Sequence, residues 1–132
     1  MPALQSISIL DREAPPVAHV FQPRDVKDGV GLVVKSTGVP VSDEKLTVSM
    51  RKSGSKFRGK LTLAVPTVVT ETINGVSRPS VSRTAYVSVE VVFDELSTTQ
   101  ERTNAIGMTA DALGVSKTLV HNAFVGLEGI YG

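Results

Sequence analysis

Thr47, Ser49 and Arg51 recur at every second position, and Arg58, Lys60 and Thr62 repeat the pattern a few residues later. Between them stand apolar residues: Leu46, Val48 and Met50 in the first run, Phe57, Leu61 and Leu63 in the second. Successive side chains of an extended strand point to opposite faces, so a period of two gathers hydroxyls and cations on one side and apolar groups on the other. Such a surface suits a nucleic acid. The cations neutralise phosphates, and the hydroxyls bond to base edges and ribose. Tyr86, one of two tyrosines in the chain, lies in a third alternating run with Ser88 and Glu90. Its ring is a platform on which an unpaired base can stack. An ordinary solvated sheet face carries the same residue types, so these residues alone admit both readings.

Catalysis has little to work with. Of the two histidines, His19 falls in an expected strand and His121 on an expected helix, where it is read as facing solvent. There is no Ser/His/Asp arrangement, no paired-carboxylate motif and no metal-ligand spacing. Gly29-Val30-Gly31 lacks the third glycine and the following helix of a dinucleotide fingerprint, and its glycines are read as shaping the entry to a strand. No catalytic residue, metal or cofactor is therefore expected. The absence of cysteine excludes a disulfide framework and a thiolate nucleophile. With 14 Lys and Arg against 13 Asp and Glu, the formal charge is +1. Attraction to nucleic acid must then come from where the charges sit, not from their sum.

The elements that position these residues read as strands first and helices last, within one domain spanning residues 1–132. Residues 4–10 and 17–21 flank Asp-Arg-Glu-Ala-Pro-Pro as a hairpin, and residues 30–35 form a short apolar strand. The two central strands follow, the second running through Pro66 to about Thr70. Asn74-Gly75 is a turn signal with Pro79 just beyond it, and residues 81–93 alternate cleanly, Arg83 excepted. After Asp94 the period changes. Thr98 with Glu101, or Ser97 with Gln100, opens a helix over residues 98–113 that stops near Gly114. A second helix over residues 116–127 carries the apolar stripe Leu119, Val120, Ala123, Phe124 and Leu127. The N-terminal stretch MPALQSISIL lacks a cationic segment followed by a long apolar run, and nothing approaches ~18 continuous apolar residues. A soluble, cytoplasmic protein with no membrane partner is expected.

One layer of sheet needs cover on its apolar face, and two modest helices supply only part of it. The last strand would also be an aggregation hazard if its edge were free. Pairing with a second copy solves both problems, and a homodimer is the structural inference; a monomer with a well-covered sheet is the alternative.

The stretches LTVSMRK, KLTLAVP, NGVSRPSVSRTAYVSVE and STTQERTNAIGM, in this order of hairpin, sheet and helices, resemble the coat proteins of single-stranded RNA bacteriophages, the leviviruses. The resemblance spans essentially the whole chain. It implies an α+β fold: an N-terminal β-hairpin, a five-stranded antiparallel sheet and two C-terminal α-helices, in an intertwined dimer with a continuous sheet. It implies that dimers build a T=3 icosahedral shell around a single-stranded RNA genome. The polar sheet face would line the interior of the virion, assembled in the host bacterial cytoplasm. It also implies binding of an RNA stem-loop at the replicase start, repressing translation and marking the genome for packaging.

Carried over by position, Thr47, Ser49, Lys60 and Thr62 match the lining of the family's adenine pockets, with Val30 at their edge. Tyr86 matches a stacking tyrosine, Ser88 and Glu90 its polar neighbours, and Lys45, Arg51 and Arg58 phosphate contacts. Ser88 stands where some relatives carry a larger amide or carboxylate, which implies a different preferred hairpin. Thr70, Glu71, Thr72, Ile73, Asn74, Gly75, Val76, Ser77, Arg78, Pro79 and Ser80 match the loop between dimers at the fivefold and quasi-sixfold axes. Without cysteine, that loop has no disulfide to link the shell. A dimeric RNA-binding regulator that never assembles is the alternative function, though it would have no use for a long inter-strand loop.

Overall fold

A computed structural model describes residues 3–38 and 40–132. They fall into two compact units that divide between Val92 and Phe93. The expected single domain also includes Met1, Pro2 and Val39, which lie outside the described residues.

The first unit is built on a six-stranded sheet in simple chain order: β1 (Ile7–Leu10), β2 (Ala18–Lys27), β3 (Val30–Lys35), β4 (Glu44–Ser53), β5 (Lys56–Ile73) and β6 (Val76–Asp94). A single 3-10 turn, Pro40–Ser42, precedes β4. The expected hairpin and five-stranded sheet are one meander because they share β2. Its first part pairs with β1, from Ile7↔Phe21 to Leu10↔Ala18, and its remainder pairs with β3. Sequence reading ended this strand at Phe21, before Pro23. The strand continues because the register shifts between Pro23 and Asp25, leaving Arg24 as the extra residue of a bulge. A bulge is where a strand accommodates a residue that lacks an N–H.

Turn chemistry fixes the other connections. Asp28-Gly29 and Asn74-Gly75 both take positive φ at each position, 53° and 78° in the first and 54° and 77° in the second. That pair defines the two-residue turn whose twist matches the flanking strands.

The second of these turns corrects the loop expected over residues 70–80. Residues 70–73 close β5, Asn74 and Gly75 make the turn, and residues 76–80 open β6. A turn this tight keeps the flanking chains adjacent, and Val68, Val69, Ile73 and Val76 favour extended backbone. Thr72 Oγ1 and Ser77 Oγ are hydrogen bonded across the hairpin at 3.2 Å. The β4 ladder ends at Lys45↔Ala64, so the distal parts of β5 and β6 continue as a two-stranded arm.

One face of the sheet holds the core. Phe21, Val33 and Leu46 are buried, with Leu4, Ile9 and Leu63 packed against them. The ladder places Val33 opposite Leu46 and Leu46 opposite Leu63. Further along this face Val48 lies opposite Leu61, and Met50 opposite Gly59. Gly59 is buried: a Cβ there would stand 2.8 Å from both Met50 Cε and Val91 Cγ2. Its missing side chain is the space those two occupy. Gly59→Ala is expected to cost about 1 kcal/mol, at the low end for overpacking because the flexible Met50 end can move aside while the branched Val91 cannot. Urea denaturation of the variant measures this; an unchanged midpoint would contradict it.

The second unit contains α1 (Thr99–Ala112) and α2 (Thr118–Val125). Thr98 caps α1, its Oγ1 accepting the Glu101 backbone N–H at 3.1 Å. This is the bond that the Thr98–Glu101 spacing predicts. The Arg102 guanidinium donates to the Ser97 carbonyl at 2.5 Å and to Thr99 Oγ1 at 3.1 Å, tying down the same turn. After the Leu113 C-cap, the Gly114 N–H bonds to the Asp111 carbonyl at 2.9 Å. Neither helix has a fully buried residue, and Phe124 and Leu127 of the expected stripe are 68% and 89% exposed. His121, expected to face solvent, is instead half-buried beside half-buried Val120, and its Nδ1 is shut off from solvent with no hydrogen-bond partner among the described residues. Among the described residues no helix is long and apolar enough to cross a membrane.

Candidate nucleic-acid interface

The face opposite the core is organised in rows by strand register. Val30, Ser49 and Lys60 lie opposite one another across β3, β4 and β5. The next row is Leu32, Thr47 and Thr62, followed by Val34, Lys45 and Ala64. On the other side, Arg51 lies directly opposite Arg58. Directly paired residues of antiparallel strands share a face. Val30, Lys45, Thr47, Ser49, Arg51, Arg58, Lys60 and Thr62 therefore form one surface; the alternation of Thr47, Ser49 and Arg51 and of Arg58, Lys60 and Thr62 predicts its two central strands.

Burial grades across this surface. Thr47, Ser49 and Thr62 are half-buried, whereas Lys45, Arg51, Arg58 and Lys60 are exposed. The Thr47 and Thr62 hydroxyls are hydrogen bonded to each other. The result is a recessed hydroxyl floor bordered by long cationic side chains. Rows repeat roughly every 6.6 Å along a strand, with strands about 4.8 Å apart. Leu32 belongs to this floor and was missed by sequence reading, although its position two residues after Val30 on β3 carried the signal.

Tyr86, Ser88 and Glu90 lie on β6, which neighbours β5. Val91 reaches the position of the absent Gly59 side chain, which shares the core face with Met50. Alternation along β6 then turns Tyr86, Ser88 and Glu90 to the opposite face, that of Thr47 and Lys60. All three are exposed, Tyr86 at 80%, and half-buried Val89 and Val91 alternate with them.

Electrostatics gives this face a direction. Like charges directly opposite on a sheet destabilise it. Arg51 and Arg58 are held in that relation with Lys60 close by, opposite Ser49. A phosphate seated between them converts the repulsion into two charge-assisted hydrogen-bonding interactions. Next to it, the hydroxyl floor and the exposed Tyr86 ring offer bonding and stacking to a base. Among the described residues, no group of three or more His, Asp or Glu side chains is arranged to hold a metal.

The model of the levivirus coat protein family matches residues 2–131 of this chain. The capsid protein of Pseudomonas phage PRR1 is 48% identical over 129 residues, covering 97% of this chain and 98% of that protein. The bacteriophage GA protein capsid superposes with a TM-score of 0.82 at 25% identity, covering 98% of each chain. An unassembled virus coat protein dimer, a bacteriophage RNA-binding dimer, superposes with a TM-score of 0.72 at 20% identity, again over 98% of each chain.

Proposed function

The chain belongs to the levivirus coat protein family, and from that premise we propose that its dimers assemble into an icosahedral shell whose inner surface is the polar sheet face. As a levivirus coat protein it is a structural component of the virion, not an enzyme. In our reading its two units act as a single coat domain, and two copies join their sheets into one. The copies intertwine, each supplying helices to cover the other. The exposed apolar residues of the second unit, Phe124 and Leu127 among them, support a partner surface, as does the dimer among the structural relatives. The tip of the two-stranded arm, residues 70–80, is the element by which dimers meet at the symmetry axes.

The same face binds single-stranded genomic RNA and, within it, a stem-loop at the replicase start. Occupying that stem-loop represses replicase translation and marks the genome for packaging in the host cytoplasm. The observation that carries the RNA reading is the register itself. It pairs Arg51 with Arg58, and Thr47 with Thr62, on the face that also presents Tyr86. Phosphate, base-edge and stacking groups converge there, beside the apolar row Val30, Leu32 and Val34 of β3.

Expression of the chain in bacteria, followed by electron microscopy and nuclease treatment, tests this reading. Closed particles that protect RNA are expected, and dissociation should release dimers that bind the stem-loop. A soluble dimer that binds the stem-loop but forms no particle with RNA present would establish the non-assembling regulator instead. A monomer would overturn the proposal.

A further inference from the structure

At one end of the core face, away from the RNA surface, four ionisable side chains from four segments meet. His19 Nε2 lies 2.7 Å from Asp11 Oδ2, and His19 Nδ1 lies 2.7 Å from Glu44 Oε2. Lys35 Nζ approaches the same Nδ1 at 3.2 Å. Asp11 belongs to the connection between β1 and β2, His19 to β2, Lys35 to the end of β3 and Glu44 to the start of β4. Lys35 and Glu44 are themselves a directly opposed pair. The side chains of His19, Asp11 and Glu44 are 21%, 29% and 12% exposed, so water screens them only in part.

Asp11 also organises the connection it belongs to. Its Oδ1 accepts the backbone N–H of Glu13 at 3.0 Å and of Val17 at 2.9 Å, while its own N–H donates to the Val17 carbonyl at 3.0 Å. One aspartate thus closes the loop of residues 11–17, and one histidine ties that aspartate to β4.

Neutral imidazole has a single N–H to donate, and here both ring nitrogens face a carboxylate oxygen. Only the imidazolium can satisfy both. We propose that His19 is a proton-controlled latch: charged, it fastens the loop of residues 11–17 to β4, and on losing its proton it releases one carboxylate and the loop loosens.

The charged groups facing His19 are Asp11 from the loop, Glu44 from β4 and Lys35 from β3. The hydrogen bond to Asp11, then that to Glu44, raises the His19 pKa above the ordinary 6.5, against the smaller opposing effects of partial burial and Lys35. Asp11 is held down at about 2, first by the Val17 N–H and then by His19. The two groups therefore act in opposite directions. Stability from His19 is complete below its ordinary value of 6.5 and is lost as pH rises through the raised value. Stability from Asp11 is present above 3.8 and is lost as pH falls toward about 2. The latch thus holds across mildly acidic pH and opens first on the alkaline side.

Hydrogen exchange of the whole protein, read by mass spectrometry from about pH 6 to pH 9 with times scaled for intrinsic exchange, tests the latch in the range where histidine titrates. The peptide spanning residues 11–18 should lose protection several-fold as pH rises, while peptides of β4 and β5 keep theirs. His19→Gln should hold the loop peptide at one level throughout. Glu44→Gln, which keeps the Asp11 contact, should move the transition to lower pH. Loop protection independent of pH in the unaltered chain would overturn the proposal. So would the same transition in His19→Gln, or a loss spread evenly over all peptides.

Discussion

Phe21→Ala is expected to destabilise the protein by about 3–5 kcal/mol, the range for removing a buried aromatic side chain. Phe21 is only 2% exposed, and its buried apolar companions in the core are Val33 and Leu46, with Leu4, Ile9 and Leu63 packed against them. So small a core has few side chains able to close over the vacated volume, and most of the cavity cost should remain. Typical domains are stable by roughly 5–15 kcal/mol, so a loss of this size threatens folding itself. The urea midpoint measures it, at fixed protein concentration because a dimer's stability depends on concentration. The adjacent Val20 is exposed at 45% and points to the other face of β2. Val20→Ala is the control, expected to change stability by no more than about 0.5 kcal/mol. A Phe21→Ala loss below about 1 kcal/mol would remove Phe21 from the centre of the fold.

Tyr86→Ala is expected to weaken binding of the replicase-start stem-loop by about 1–3 kcal/mol, the worth of one base stacked on an aromatic ring. That is roughly a 5- to 150-fold loss of affinity. Particles should still form, because the Tyr86 side chain is 80% exposed and takes no part in the buried core. Tyr86→Phe separates the ring from its hydroxyl: retained affinity identifies stacking, and a loss equal to that of Ala identifies a hydrogen bond. Unchanged binding in Tyr86→Ala would exclude the stack. Failure of that variant to dimerise would place Tyr86 at the contact between subunits.

Much of this was legible in the sequence, and the reason is the period of two. Alternation around Thr47 and Lys60 needed only that the strands stay regular, and the register then aligned them face to face. Residues 30–35 formed a strand with the expected limits, and both helices lay within two residues of theirs. Thr98 and Glu101 made the cap that their spacing announced.

What was illegible depends on partners distant in sequence. The continuation of β2 past Pro23 rests on a bulge, which a strand pattern broken by proline does not reveal. The loop over residues 70–80 is what the family resemblance implies, and Thr70, Glu71 and Thr72 carry no apolar alternation that would mark a strand against it. Backbone pairing beyond the Asn74-Gly75 turn holds it extended regardless. His19 looked like a lone strand histidine because Asp11 and Glu44 reach it only once three strands and a loop are in place. Gly59 carried no signal until Met50 and Val91 were seen to occupy its space.

The central claim is that the face bearing Arg51, Arg58 and Lys60 holds RNA through its phosphates. Its most direct test is the salt dependence of stem-loop binding, compared between the unaltered dimer and an Arg51→Ala, Arg58→Ala double variant. The logarithm of affinity should fall linearly with the logarithm of salt concentration, and losing two phosphate contacts should reduce the slope by about 1.4–1.8. A flat salt dependence in the unaltered protein, or an identical slope in the double variant, would contradict the claim.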